Sequence, residues 1–191
     1  EAPVWREESG RTVVPIQFDP SGSVFVVFRR PAAGADPVAD VAGAKGLRLE
    51  KTATEMRAWA SANGAWTLKT RTGRTVPVKA AGVPAPIPLK GAWSVTFPLK
   101  GGPRRIEAPE GSWTGSRDED VRYFSGTATY EKTFTVPADR KGEGRRLLLD
   151  LGDVQNLVRV RLNGKDLGVL WKAPYVIDVT AEAVAGANRL V

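Results

Sequence analysis

The stretch LVRVRLNGKDLGVL, residues 157–170, alternates with a period of two. Val158, Val160 and Leu162 fall on one face while Arg159 and Arg161 fall on the other, the pattern of a strand with one face on a core and one in water. Asn163-Gly164 follows at once. Both residues tolerate positive φ, which a two-residue hairpin turn requires, so residues 165–170 are the return strand. Next, Tyr175, Ile177 and Val179 share a face.

Upstream, residues 145–151 place Leu147, Leu149 and Leu151 on one side and Leu148 and Asp150 on the other. Residues 126–136 and 93–99 read as further strands, separated by a stretch, 100–125, whose composition predicts irregular structure. Pro84, Pro86 and Pro88 alternate through 83–88. Proline donates no backbone hydrogen bond, so this segment suits an extended boundary, which divides the chain into a β-rich region at 1–83 and a second domain at 84–191. Within the first, 12–18 and 23–30 flank the breaker turn Asp19-Pro20-Ser21-Gly22 and read as a hairpin. Ala, Gly, Pro and Asp dominate 31–46, a loop by composition. Residues 55–61, 65–71 and 74–80, with Asn63-Gly64 and Thr72-Gly73 at the turns, read as a meander, with a short helix over the Ala-rich 54–62 as the alternative to its first strand. Many short antiparallel strands, no long helix and no repeat at a fixed period predict an all-β chain, an antiparallel β-sandwich.

Composition narrows the chemistry. The 191 residues include no His and no Cys. A Ser-His triad, an imidazole base, a His metal ligand, a thiol nucleophile, a disulfide and a zinc-thiolate site are therefore excluded. Carboxylate, Lys, Tyr or Ser chemistry, a hard-cation oxygen site, or binding alone remain. The formal charge is +7. The basic residues come as dispersed pairs (Arg29-Arg30, Arg104-Arg105, Arg145-Arg146) with no GXXG or RNP-type aromatic signature, so solvated strand faces account for them and no nucleic-acid partner is expected. No apolar run approaches a membrane span, so no membrane partner is expected. Lack of Cys is compatible with any compartment.

Catalytic motifs are missing. Asp118-Glu119-Asp120 is the one acidic cluster. Neighbouring residues of a strand point to opposite faces, so it makes a poor glycosidase pair; an exposed acidic turn accounts for it, with Ca²⁺ at Asp118 and Asp120 as the weaker alternative and no other cofactor implied. Gly101-Gly102-Pro103 lacks the Gly-Lys-Ser/Thr end of a phosphate loop. No catalytic residue is assigned. The six Trp are the better lead, because aromatic faces stack on sugar rings. Trp59, Trp66 and Trp93 read as core. Trp113, in the loop composition Gly111-Ser112-Trp113-Thr114-Gly115, and Trp171, before Lys172-Ala173-Pro174, are candidates for carbohydrate or interdomain contact.

Three runs carry a family resemblance. They are residues 151–157 (LGDVQNL), residues 160–175 (VRLNGKDLGVLWKAPY) and Asp178-Val179-Thr180. Together they resemble the galactose-binding-like sandwich near the C-terminus of bacterial α-L-rhamnosidases of glycoside hydrolase family 106, itself similar to the family 2 sugar-binding domain. Residues 123–134 (YFSGTATYEKTF) resemble the first strands of that module, and residues 4–7 and 22–28 (GSVFVVF) the β-rich region before it. The resemblance implies a galactose-binding-like jelly roll at 84–191, a periplasmic or secreted bacterial protein, and Tyr123 and Asn163 as carbohydrate-binding candidates beside Trp113 and Trp171. Family members carry their catalytic acids on an (α/β)₈ barrel, and the chain shows no βα alternation. The chain therefore reads as a C-terminal part of a larger enzyme: a non-catalytic accessory region that supports the catalytic barrel or the approach of carbohydrate. The alternative is an autonomous carbohydrate-binding module for plant or algal polysaccharide, with acidic glycans favoured by the basic surface. A stand-alone hydrolase with an unrecognised carboxylate pair ranks third. Its partners are accordingly carbohydrate or the missing catalytic domain, and an open sheet edge expected at Leu190-Val191 would also allow pairing with a second copy.

Overall fold

The structure, a computed structural model, describes residues 1–20, 22–29, 31, 34–43, 45–108 and 111–191. The chain is all-β with antiparallel ladders, and it divides into two compact units, Glu1–Pro86 and Ile87–Val191, at the proline-rich segment. Among the described residues no helix is long and apolar enough to cross a membrane.

In the first unit β1 (Arg6–Glu8) and β2 (Arg11–Val13) form a tight hairpin. Ser9 and Gly10, with φ of 51° and 73°, supply its turn. The expected hairpin of 12–18 with 23–30 is therefore not formed. The Asp19 turn does close, Gly22 N–H donating to Asp19 O at 2.8 Å, but its flanks carry no ladder through residue 29, and Arg30 lies outside the described residues. The expected loop at 31–46 contains β3 (Val38–Gly43), and β4 (Leu47–Lys51) follows it. Composition misleads here because ladder bonds use the backbone, and small residues suffice when a neighbour supplies the side-chain mass. At Gly43, φ 130°, a Cβ would overlap Ala65 O and the Trp66 backbone. The strand side of the 54–62 alternative is realised, as β5 (Met56–Ala60).

β6 (Gly64–Thr70) and β7 (Thr75–Ala80) pair as expected, with Pro77 on the edge strand where its missing N–H costs no ladder bond. The three-strand meander is not formed, since β5 pairs with β4, while β6 pairs with β3. Trp66, Leu68 and Thr70 alternate inward on β6 and, with Val38, form the buried core of this unit.

The second unit is a two-layer sandwich. Its strands are β8 (Trp93–Leu99), β9 (Gly102–Ala108), β10 (Thr129–Val136), β11 (Leu148–Asp150), β12 (Val158–Leu162), β13 (Lys165–Leu170), β14 (Val176–Asp178) and β15 (Gly186–Leu190). The large sheet runs β13-β12-β15-β10-β8-β9, and β11-β14 forms a separate two-stranded sheet. β12 and β13 meet through Asn163 and Gly164 at φ 52° and 86°, the turn conformation required by the opening stretch. β9 lies inside the expected irregular segment; Leu99 pairs with Gly102 across a two-residue turn, so the Gly-Gly-Pro run starts a strand. β15 sits between β12 and β10, and Val191 exchanges both backbone hydrogen bonds with Arg161, so the sheet edges are β13 and β9 and not the expected Leu190-Val191.

Two cores lie under the large sheet. Leu149 of β11 meets Val160, Leu162 and Leu190, with Val179 and Ala183 closing the layer. At the other end, Val95 and Phe97 of β8 pack on Val121 of a single helical turn, α1 (Glu119–Arg122), all three fully buried. By area arithmetic, burying side chains of this size is worth roughly 1.5–3 kcal/mol each.

Candidate functional site

The candidate residues occupy separate places in the 87–191 unit. Trp113 opens a 3₁₀ turn held by Ser112, whose hydroxyl accepts from Thr114 N at 3.2 Å. Its ring is half-buried, 5.6 Å from Phe97 and 6.3 Å from both Phe124 and Tyr130. These edge and tilted contacts occupy it in packing. Tyr123 caps α1 and is 73% exposed.

Asn163 lies at the exposed hairpin turn, with its side chain tied back to the fold. Its amide donates to Glu182 O at 2.9 Å and to Asn188 Oδ1 at 2.8 Å, and its carbonyl accepts from Arg189 N at 2.9 Å. Both amide hydrogens are consumed, which leaves none for a sugar hydroxyl. Trp171 is 69% exposed just past β13, close to the exposure of Tyr123. Leu157 and Trp171 flank the Val158–Leu170 pair at the open end of the β12–β13 hairpin, and Val169 adds a third exposed apolar side chain along the edge strand.

Asp118 caps α1 through Asp120 N at 3.0 Å and pairs with Arg104. The hydrogen bond from Arg104 holds its carboxyl below the usual carboxylate range. Asp120 lies 3.6 Å from the same guanidinium. Both carboxylates of the expected calcium alternative thus face a cation, and among the described residues no group of three or more acidic, His or Cys side chains converges on a metal position.

A polar groove of about 470 Å³ lies on the outer face of the large sheet, and the sequence reading missed it. Alternation turns Arg105 of β9, Ser94 of β8, Glu131 and Thr133 of β10 and Arg189 of β15 to the same side, with Lys90 and Lys132 at the rim. Glu131 accepts from Arg105 Nη2 at 3.3 Å with one oxygen and from Arg189 with the other. Arg105 Nε also donates to Ser94 Oγ. Lys132 donates to Gly91 O at 2.5 Å and sits 5.0 Å over the Trp93 ring. The available signal was Thr-Tyr-Glu-Lys-Thr-Phe at 129–134, whose period of two puts Glu131 and Thr133 on the solvent face. Its partners Arg105 and Arg189 are 26 and 58 residues distant in sequence, which no local pattern reveals.

The chain is similar to parts of two glycoside hydrolases. No family model matches the chain. It is 39% identical over 130 residues, 66% of its length, to a Formosa agariphila protein named "Putative beta-glucuronidase", of which the match spans 11%. Among solved structures it is similar to the rhamnosidase from Novosphingobium sp. PP1Y, at 27% identity and a TM-score of 0.50, over 81% of this chain and 20% of that one. The chain thus spans a small fraction of the hydrolases it resembles.

Proposed function

We propose that the chain is a non-catalytic accessory β-sandwich region of a rhamnosidase-like glycoside hydrolase of family 106 type, in a periplasmic or secreted bacterial protein. The observation that carries this reading is the similarity to the rhamnosidase across four-fifths of this chain and only one-fifth of the enzyme. The 87–191 unit, with eight strands in a large and a small sheet, is read as galactose-binding-like.

An exposed apolar run supports the supporting role. Val24 to Phe28 are five successive apolar side chains, all exposed, Phe25 at 94% and Phe28 at 75%. Contiguous apolar surface of this kind marks contact with another protein surface, here the remainder of the hydrolase. The chain is expected to release no aryl product from an aryl α-L-rhamnoside or an aryl β-D-glucuronide. Turnover of either, abolished by one carboxylate substitution, overturns the reading in favour of a stand-alone hydrolase.

The second reading, an autonomous carbohydrate-binding module, is favoured by the exposure of Trp171 and Tyr123. Stacking at the edge strand predicts that Trp171→Ala loses retardation in gels containing neutral plant or algal polysaccharide while its thermal midpoint is unchanged. Equal migration of wild type and variant on every neutral polymer removes this reading.

A further inference from the structure

We propose that the groove on the outer sheet face is a binding site for the carboxylate of an acidic saccharide, a uronate unit within a glycan chain. The inference rests on the reading of the chain as part of a glycoside hydrolase and adds a ligand class and a location to it.

The first argument is preorganisation. Arginine side chains on a sheet surface are long and entropically free, and ordering them costs rotamer entropy before any contact forms. Here Glu131, with its side chain 21% exposed, holds Arg105 with one oxygen and Arg189 with the other, and Ser94 fixes the Arg105 Nε. Both arginine side chains remain largely in water, 63% and 66% exposed. Of the five N–H donors on each guanidinium, Glu131 and Ser94 take two from Arg105 and Glu131 takes one from Arg189, and the paired donors that remain suit the planar, two-oxygen geometry of a carboxylate.

The second argument is the mixture of groups. Lys90, Arg105, Lys132 and Arg189 outnumber Glu107 and Glu131 along the groove, giving an excess of positive charge. The two carboxylates and the hydroxyls of Ser94 and Thr133 accept hydrogen bonds from sugar hydroxyls. A nucleobase gains no aromatic stacking partner from this polar lining, which disfavours single-stranded nucleic acid. Among the described residues no aromatic side chain lines the groove, so a neutral sugar finds no stacking platform there. A ligand that is polyhydroxylated and singly charged per unit fits all of these features.

The test is native affinity electrophoresis in gels containing polygalacturonate, dextran or single-stranded DNA. Wild type is expected to be retarded by polygalacturonate and to migrate freely in dextran. Arg105→Ala with Arg189→Ala should weaken retardation about tenfold, the effect of losing charge-assisted hydrogen bonds. Arg48→Ala with Lys69→Ala removes the same charge from the other unit and should leave retardation intact. Arg105→Lys with Arg189→Lys keeps the charge but loses the fork, and should retain only part of the retardation. Free migration of wild type in polygalacturonate overturns the proposal. So does equal weakening by the two Ala pairs, which means bulk charge alone, or stronger retardation by single-stranded DNA. Circular dichroism of each variant separates unfolding from lost binding; if the Ala pair unfolds, the Lys pair decides. Failure here leaves the accessory reading standing, because that reading is tested by glycoside turnover.

Discussion

Replacing Asn188 with Ala removes a side chain that is 1% exposed and has its full complement of partners. Its oxygen accepts from Asn163 Nδ2 and Val184 N, both at 2.8 Å, and its amide donates to Val184 O at 2.8 Å and Gly186 O at 2.9 Å. Each bond contributes about 1 kcal/mol net, and a buried group left without a partner costs about 1–3 kcal/mol. Val184 is half exposed, so water recovers part of the loss at its backbone, and the lower end of that range applies. The expected destabilisation is about 3–4 kcal/mol, a large share of the roughly 5–15 kcal/mol that holds a domain together. In urea unfolding followed by circular dichroism the midpoint should fall by about 1–2 M with an unchanged slope. In a double-mutant cycle, Asn163→Ala should couple to Asn188→Ala by about 1 kcal/mol, because the two share one hydrogen bond. A midpoint shift below about 0.5 M, or additive losses, would refute the view that these asparagines are a structural clasp at the hairpin turn.

Acid should weaken the β11–β14 layer through Asp178. Burial alone would raise its carboxyl, but hydrogen bonds from Thr180 and the Arg146 guanidinium outweigh it and hold the pKa below the ordinary value. A lowered folded pKa contributes stability that is present above the unfolded value, about 3.9, and is lost as pH falls through the folded one. Asp178→Asn should therefore melt below wild type at neutral pH, with the gap starting to narrow as pH falls below about 4; a gap that does not narrow anywhere in the acid range contradicts this. Phe97→Ala opens a void beneath Trp113 and Phe124 and should cost about 3–5 kcal/mol, with a change in tryptophan emission; chemical unfolding checks the first and fluorescence the second. Phe25→Ser with Phe28→Ser should leave the thermal midpoint nearly unchanged, within about 0.5 kcal/mol, while light scattering reports less self-association.

The legible parts of the fold were those whose information is local. The Arg159 and Arg161 alternation and the Asn163-Gly164 turn are complete within a few residues, and β12–β13 forms on those terms. β3 and β9 read as loop and irregular chain because β3 is built of small residues and β9 opens on Gly102-Pro103 without a period-two apolar face, and pairing partners stabilise both. Residues 23–29 show the converse: strong β-propensity, no ladder, because propensity without a neighbouring strand closes no hydrogen bonds.

The candidate residues divide along the same line. Tryptophan count and loop composition directed attention to Trp113 and Trp171, yet one is packed against Phe97 and the other stands in water. Asn163 reads equally well as turn residue or ligand contact; only Glu182 and Asn188, brought beside it from 19 and 25 residues away, consume its amide hydrogens.

The sequence by itself determined an all-β antiparallel chain, the period-two faces of its clearest strands and, through the absence of His and Cys, the kinds of chemistry it excludes. Each of those follows from backbone geometry or from an inventory of side chains, and neither needs a partner. Tertiary structure alone decided which strands pair, which sheet edges stay open, and that Arg105, Glu131 and Arg189 meet on one face. Those outcomes depend on long-range register, and a hydrogen bond between residues far apart in the chain leaves no periodic mark on either segment.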